Sequence, residues 1–133
     1  MRRTLPIAAV FFLSSCAIAP RVEPAATSKS QFEGALYAGE TVALDKPTPG
    51  EEAYRVFREA ATGHVPLQSV RSETEEIAKA YCKRKGRSMR GLVETAARPP
   101  YTFGNFAAVE LIFECVAKAA ALGGTTVLAA AGR

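Results

Sequence analysis

Several residue types and motifs that enzymes commonly use are scarce in this 133-residue chain. It has no tryptophan, one histidine and three cysteines, and no Cys-x-x-Cys pair occurs. His64 lacks companions for a zinc site, which usually needs three or four ligands, and has no evident serine or cysteine partner for nucleophilic catalysis. No glycine-rich phosphate loop follows a predicted strand. We therefore predict that the protein is not an enzyme and holds neither a metal nor a cofactor.

A strong excess of one charge is also missing. The 17 basic and 13 acidic residues give a net charge of +4, and removal of Arg2 and Arg3 with a targeting segment would leave +2 (15 minus 13). Proteins that bind nucleic acid carry a concentrated basic face, so nucleic acid is not expected as a partner. With 48% hydrophobic and 23% charged residues, the composition fits one small globular domain.

No apolar run is long enough to cross a bilayer, which takes about 20 residues as a helix. The run from Leu5 to Leu13 covers about half of that length and is interrupted by Pro6. A basic start, Met1-Arg2-Arg3, precedes the run, and small residues follow it. This order is typical of a secretory signal peptide, so we expect the protein to be exported.

The end of this segment, Leu13-Ser14-Ser15-Cys16, resembles the lipobox of bacterial lipoproteins. The resemblance implies that residues 1–15 are a signal peptide and that Cys16 carries the lipid that anchors the protein to a membrane. An ordinary secretory peptide, cut after Ala17 or Ala19, is the alternative. In lipoproteins of the enterobacterial type, aspartate after the cysteine retains the protein in the inner membrane. Ala17 therefore implies an outer membrane lipoprotein that faces the periplasm.

The remaining chain divides by composition. Residues 16–50 are rich in proline, serine, threonine and alanine, which predicts a flexible tether after the lipidated cysteine. Residues 51–117 are expected to form a small α+β periplasmic domain. Residues 118–133 form an Ala/Gly-rich tail without a functional interpretation.

A helix is predicted over residues 73–85. Ser72 and Glu75 fit a capping box at its start, and Gly86 is a natural residue for its end. Ile77, Ala78, Tyr81 and Cys82 follow at helical spacing and should share one apolar face.

Strands are predicted on both sides of this helix. Ala107–Val116 alternates with period two, which predicts a buried odd-numbered face, and Met89–Ala97 is its expected partner. On this pattern Glu110 and Glu114 belong to a solvated face. Residues 51–63 are predicted as a third strand, with a helix as the alternative. The fold expected is β-α-β-β, with a small three-stranded antiparallel-type sheet and one helix packed on it.

Two cysteines remain when Cys16 is lipidated. In an exported protein the pair Cys82 and Cys115 is first interpreted as a disulfide. Cys82 lies on the apolar face of the predicted helix and Cys115 on the apolar face of the last strand, so helix packing should bring them together. Two buried free thiols, or a redox or metal pair, are the alternatives.

Two features could mediate binding. The loop between the last two strands gathers three aromatic residues, Tyr101, Phe103 and Phe106, which form a patch if exposed and add to the core if packed inward. A basic run follows the predicted helix and consists of Lys83, Arg84, Lys85, Arg87 and Arg90. Such a run usually complements a helix dipole, and it could instead contact anionic head groups or an acidic polymer.

Three stretches together are similar to small proteobacterial envelope lipoproteins of unassigned function: Tyr54-Arg55-Val56-Phe57, the segment 76–86 with its cysteine, and the segment 109–115 with its Phe-x-Cys ending. The resemblance covers residues 53–116. It implies the strand near residue 54 and the disulfide, and it carries no catalytic residues. We expect a membrane-anchored, non-enzymatic lipoprotein that binds an envelope protein partner as an adaptor or sensor. A ligand-binding or inhibitor module that recognises peptidoglycan or a hydrolase is the alternative.

Overall fold

The computed structural model describes residues 20–118, which contain one helix and five strands. The order along the chain is β1 (Val22–Pro24), β2 (Gly39–Ala43), β3 (Ala53–Glu59), α1 (Leu67–Arg84), β4 (Ser88–Ala97) and β5 (Ala108–Val116). The predicted Ala/Gly-rich tail lies outside the described residues, except for Lys118.

The α+β class is confirmed, but the predicted size of the sheet is wrong. All five strands form one antiparallel sheet in the order β1-β3-β5-β4-β2. The two additional strands, β1 and β2, come from the segment that the sequence analysis assigned to a flexible tether. They are short edge strands of three and five residues, so they carry little periodicity of their own. Pro24 at the end of β1 is compatible with an edge position.

The three predicted strands are present. β3 occupies residues 53–59, so the strand interpretation of this region is correct and the helical alternative is wrong. β4 and β5 form the expected hairpin, and β5 pairs with β3 on its other side. A register shift between Gly91 and Val93 interrupts the β4–β5 ladder.

Helix α1 starts at Leu67, earlier than the predicted residue 73. Pro66, with φ −69° and ψ 145°, precedes it, and no side chain caps its N-terminus. The predicted capping box of Ser72 and Glu75 is therefore wrong, because both residues lie inside the helix. Pro66 has no N–H of its own, so the helix start has one unpaired donor fewer, and the N–H groups of Ser69 and Val70 already donate to the carbonyl of Pro66.

The predicted helix end is correct. Gly86 adopts φ +67°, and its N–H donates to the carbonyl of Lys83 at 2.9 Å. The N–H of Arg87 donates to the carbonyl of Cys82, also at 2.9 Å. This is the Schellman arrangement, in which a glycine in the left-handed region closes the helix.

Helix α1 covers one face of the sheet, which we call the helix face. Ala78 and Cys82 are fully buried there against Val56, Leu111 and Phe113. The predicted disulfide between Cys82 and Cys115 is confirmed, with the two Cα atoms 5.2 Å apart. The bond joins helix α1 to β5, the central strand of the sheet.

The opposite face is covered by the chain itself, and we call it the crossing face. Residues 25–38 lead from β1 at one edge to β2 at the other, and residues 44–52 lead back to β3. We call these the first and second crossing segments. Phe32 of the first segment packs edge-on against Phe57 with ring centroids 5.9 Å apart.

Glu110 and Glu114 on β5 point into this face and are buried, with 3% and 1% exposure. The prediction that they form a solvated face is wrong. The alternation of β5 was interpreted correctly as two faces, but both faces of this central strand are covered.

Candidate partner-binding site

The three aromatic residues predicted as a patch are not on one surface. Tyr101 and Phe106 are half-buried and pack against the core cluster beneath the start of α1. The hydroxyl of Tyr101 donates to the carbonyl of Ala97 at 3.1 Å. Phe103 is 96% exposed. Of the three, Phe103 alone therefore presents its ring to solvent.

Buried Asn105 fixes the loop that carries Phe103. Its side-chain amide donates to the carbonyls of Arg98 and Pro100, both at 2.8 Å, and its backbone N–H donates to the carbonyl of Thr102 at 3.1 Å. Phe103 itself has φ +52°, in the left-handed region that residues with a side chain rarely adopt. Such a conformation persists where the surroundings impose it, and it occurs preferentially at binding sites.

Leu36 and Tyr37 extend this exposed surface from the first crossing segment. Leu36 is 89% exposed and Tyr37 is 38% exposed. The hydroxyl of Tyr37 donates to the carbonyl of Phe103 at 2.9 Å, which joins two segments that are 66 residues apart. We call Leu36, Tyr37 and Phe103 the Phe103 patch. A shallow groove runs beside it and is lined by Arg98, Pro99, Pro100, Thr102 and Asn105.

Leu36 and Tyr37 were not predicted as site residues because they lie in the predicted tether. Their apolar character was visible, but no periodic pattern placed them in an element. Their position depends on the path of the first crossing segment over the sheet and on the hydrogen bond between Tyr37 and Phe103. Neither feature produces a pattern in the sequence near residues 36 and 37.

The basic run does not form one surface either. Arg87 pairs with Glu51 at 2.6 Å, and Arg90 pairs with buried Glu114. Both side chains therefore serve the fold. Lys83 and Arg84 are exposed at the end of α1, where cations complement the helix dipole.

Lys85 of the same run lies over two aromatic rings. Its ammonium group is 4.5 Å from the ring centre of Tyr54 and 4.8 Å from that of Tyr81, and it donates to the Tyr54 hydroxyl at 2.8 Å. The hydrogen bond with Tyr54 raises the pKa of Lys85. The cation is thus held above the apolar core.

The two buried glutamates hold the crossing segments. Glu110 accepts from the N–H of Gln31 at 2.8 Å and pairs with Arg55 at 3.1 Å. Glu114 accepts from the N–H of Thr48 at 3.0 Å and from its hydroxyl at 2.6 Å, besides pairing with Arg90. Each carboxylate therefore joins a cation of the sheet to the backbone of one crossing segment.

Burial alone would raise the pKa of Glu114. The hydrogen bonds from Thr48 and Arg90 outweigh burial and lower its pKa below the ordinary value. Glu114 thus favours its ionised form, and in that form it joins Arg90 to the second crossing segment.

No group of three or more His, Cys, Asp or Glu side chains in residues 20–118 is placed to hold a metal ion. His64 is exposed in the loop before α1. Cys82 and Cys115 are joined to each other.

Cys16, the predicted lipidation site, lies outside the described residues. Within the part of the chain that the structure describes, no helix has the length and apolar character needed to cross a bilayer.

No protein-family model matches the chain, and neither a curated protein nor a solved structure shows significant similarity to it.

Proposed function

We propose that the protein is a non-enzymatic, lipid-anchored protein of the bacterial envelope whose Phe103 patch binds a protein partner, as an adaptor or sensor does. The observation that carries this proposal is the fixed, outward position of Phe103 in a strained loop conformation. A protein rarely exposes large apolar side chains side by side unless they contact something.

The patch has the character of a binding surface. Aromatic residues dominate the energetics of protein interfaces, and those that bind well are held in place before the partner arrives. The bonds of Asn105 and Tyr37 hold the backbone of the loop. Phe103 therefore loses little backbone freedom when it enters a pocket.

Location in the envelope is supported by two features. The segment Leu13-Ser14-Ser15-Cys16 resembles a lipobox, with residues 1–15 as signal peptide and lipid on Cys16. The disulfide is of a kind that persists in the periplasm and is rare in the cytosol. We propose the outer membrane, with the domain facing the periplasm, because Ala17 stands where aspartate would favour the inner membrane.

The test is photo-crosslinking in intact cells from a probe amino acid at position 103. A matched probe at position 42 is the control, because Val42 is exposed on β2 outside the patch. We expect one dominant protein adduct from position 103 that is absent from position 42. Adducts to cell-wall fragments would favour the alternative, a peptidoglycan-binding module. Equal adducts from both positions would contradict a specific site.

A second test compares how well Phe103→Ser, Leu36→Ser and the control Val42→Ser capture the partner. All three remove an exposed apolar side chain, so the fold should not change. The first two should abolish capture of the partner by purified protein, and the third should not. Capture by Phe103→Ser at the level of the unchanged protein would show that the patch is not the site.

A further inference from the structure

The path of the chain into the sheet limits how far the domain can lie from Cys16. In the antiparallel β1–β3 pair, Val22 lies opposite Val56 and Glu23 opposite Arg55. Arg21 and Pro20, which precede β1, therefore lie towards Glu59, where β3 ends. Pro20 is already placed against the domain, in a shallow apolar groove that it lines with Arg58, Ser72, Glu73, Glu76 and Ile77.

Only three residues, Ala17 to Ala19, separate Cys16 from Pro20. Four steps along a chain that reaches at most about 3.6 Å per residue span about 14 Å. If residues 17–50 were a free tether, the domain could lie up to about 120 Å from Cys16 by the same measure. Because the crossing segments are part of the fold, they add almost nothing to the distance between Cys16 and the domain.

The Phe103 patch lies at the same end of the sheet as this entry point. Glu59 pairs with Ala108, which follows the Phe103 loop, and Leu36 and Tyr37 directly precede β2. The two sheet edges, β1 and β2, are four strand spacings apart, or about 19 Å. Phe103 stands five residues outside β5, which adds up to about 17 Å, so the patch can lie no more than about 50 Å from Cys16.

The charges beside the patch oppose direct contact with an anionic bilayer. Glu33 and Glu40 flank Leu36 and Tyr37 in the sequence, and the neighbouring cation Arg98 lies 3.8 Å from Glu40. Membrane-contacting surfaces place cations beside their apolar residues. Arg98 lines the groove beside the patch but is paired with Glu40, so these apolar residues lack the cluster of cations that a membrane surface would need and fit an apolar pocket on a protein instead.

We propose that the partner of the Phe103 patch is a protein embedded in the membrane that holds Cys16, and that it offers an apolar pocket near the head groups. This inference rests on the proposed function, since it requires both the lipid on Cys16 and a protein bound at the patch.

The experiment uses the full chain in cells, with the photo-probe at position 103 and the control probe at position 42. A second version carries about 30 Gly/Ser residues inserted between Ala19 and Pro20. The adducts are separated by alkaline carbonate, which leaves integral membrane proteins in the membrane pellet. For this step a specific protease site is placed between Ala19 and Pro20 and cut after crosslinking, so that the lipid on Cys16 does not hold the adduct in the pellet.

We expect the adduct to stay in the pellet after this cut, through its partner. The inserted chain should give the same adduct at a yield several-fold lower, because a longer linker dilutes the patch near the membrane. A soluble or wall-bound protein, or a phospholipid, as the main adduct would overturn the inference. A higher yield from the inserted chain would also overturn it. Absence of any protein adduct specific to position 103 would instead reject the proposed function itself.

Discussion

The two faces of the central sheet are stabilised by different interactions. On the helix face, apolar side chains of α1 and the sheet surround a disulfide. On the crossing face, two buried glutamates each bind an arginine and a backbone N–H of a crossing segment. The helix face tolerates any well-packed apolar set, whereas the crossing face depends on specific partners that must all be present. The changes that follow test this difference, from the largest expected effect to the smallest.

Glu114→Ala should have the largest effect. It removes the buried carboxylate from the guanidinium of Arg90, which keeps the carboxylate of Asp45 at 3.6 Å, and leaves the N–H and hydroxyl of Thr48 without the acceptor they have in the folded protein. Breaking a buried ion pair by removing one partner costs about 3–5 kcal/mol in the free energy of unfolding. Urea unfolding of both proteins measures the difference.

The control for this change is the double variant Arg90→Met/Glu114→Leu. Replacing both charges by apolar groups is often close to neutral, so it should regain the part of the loss that comes from Arg90, while the part from the donors of Thr48 remains. A Glu114→Ala loss below about 1 kcal/mol would show that the crossing face does not depend on the pair.

On the helix face, Cys82→Ala/Cys115→Ala should cost about 3–4 kcal/mol. The disulfide closes a loop with a sequence separation of 33, and its loss returns that loop's entropy to the unfolded chain. The Phe103 patch should keep its partner, because the crossing face is built without the bond. Adding reductant to the double variant should change nothing further, which controls for other effects of the reagent.

Gly39→Ala should have an intermediate effect. A Cβ at this position would lie 2.6 Å from Cγ2 of Thr95 and 2.9 Å from Cδ1 of Phe32, so the first crossing segment must move. Overpacking of this kind costs about 1–3 kcal/mol. Thr95→Ser removes the Cγ2 methyl and keeps the hydroxyl, so the double variant should be more stable than Gly39→Ala alone. If Thr95→Ser does not restore stability, the contact with Phe32 is the one that destabilises Gly39→Ala.

Acidification should weaken the crossing face. Because the pKa of Glu114 is lowered in the folded protein, its contribution is fully present above the ordinary glutamate pKa of about 4.5 and is lost as pH falls through the folded value. The free energy of unfolding should therefore fall more steeply below pH 4.5 than in Glu114→Gln. Parallel pH profiles for the two proteins would contradict a lowered pKa.

Phe103→Ser should have the smallest effect on stability, within about 0.5 kcal/mol, because an exposed side chain contributes little to folding. Phe106→Ser is the contrast, since its half-buried ring packs on the core and its loss should cost about 2–4 kcal/mol. Equal losses for the two variants would show that Phe103 also packs inward.

The sequence predicted the helix face well because local periodicity reports it. Cys82 and Cys115 fall on apolar faces at helical and strand spacing, and the structure joins them. The crossing face leaves no such signal. Glu110 and Glu114 alternate with apolar residues as solvated side chains would, and the groups that bury them lie 79 and 66 residues away.

The candidate site was predicted only in part for the same reason. The composition of the loop indicated Phe103, but its exposure depends on the hydrogen bonds of Asn105 and on contact with Tyr37. Tyr37 was assigned to a tether because the segment 16–50 as a whole is rich in proline, serine and threonine. Short edge strands form only when a central sheet is present to pair with them.

The central claim is that residues 20–52 are part of the fold rather than a tether, since the placement of the Phe103 patch and its distance from Cys16 both follow from it. Amide hydrogen exchange at Gln31 and Thr48 tests it most directly. Their N–H groups donate to buried Glu110 and Glu114, so they should exchange slowly, close to the rates of amides within α1. Exchange at the rate of an unstructured peptide at both residues would contradict the account, and would return this segment to a flexible tether.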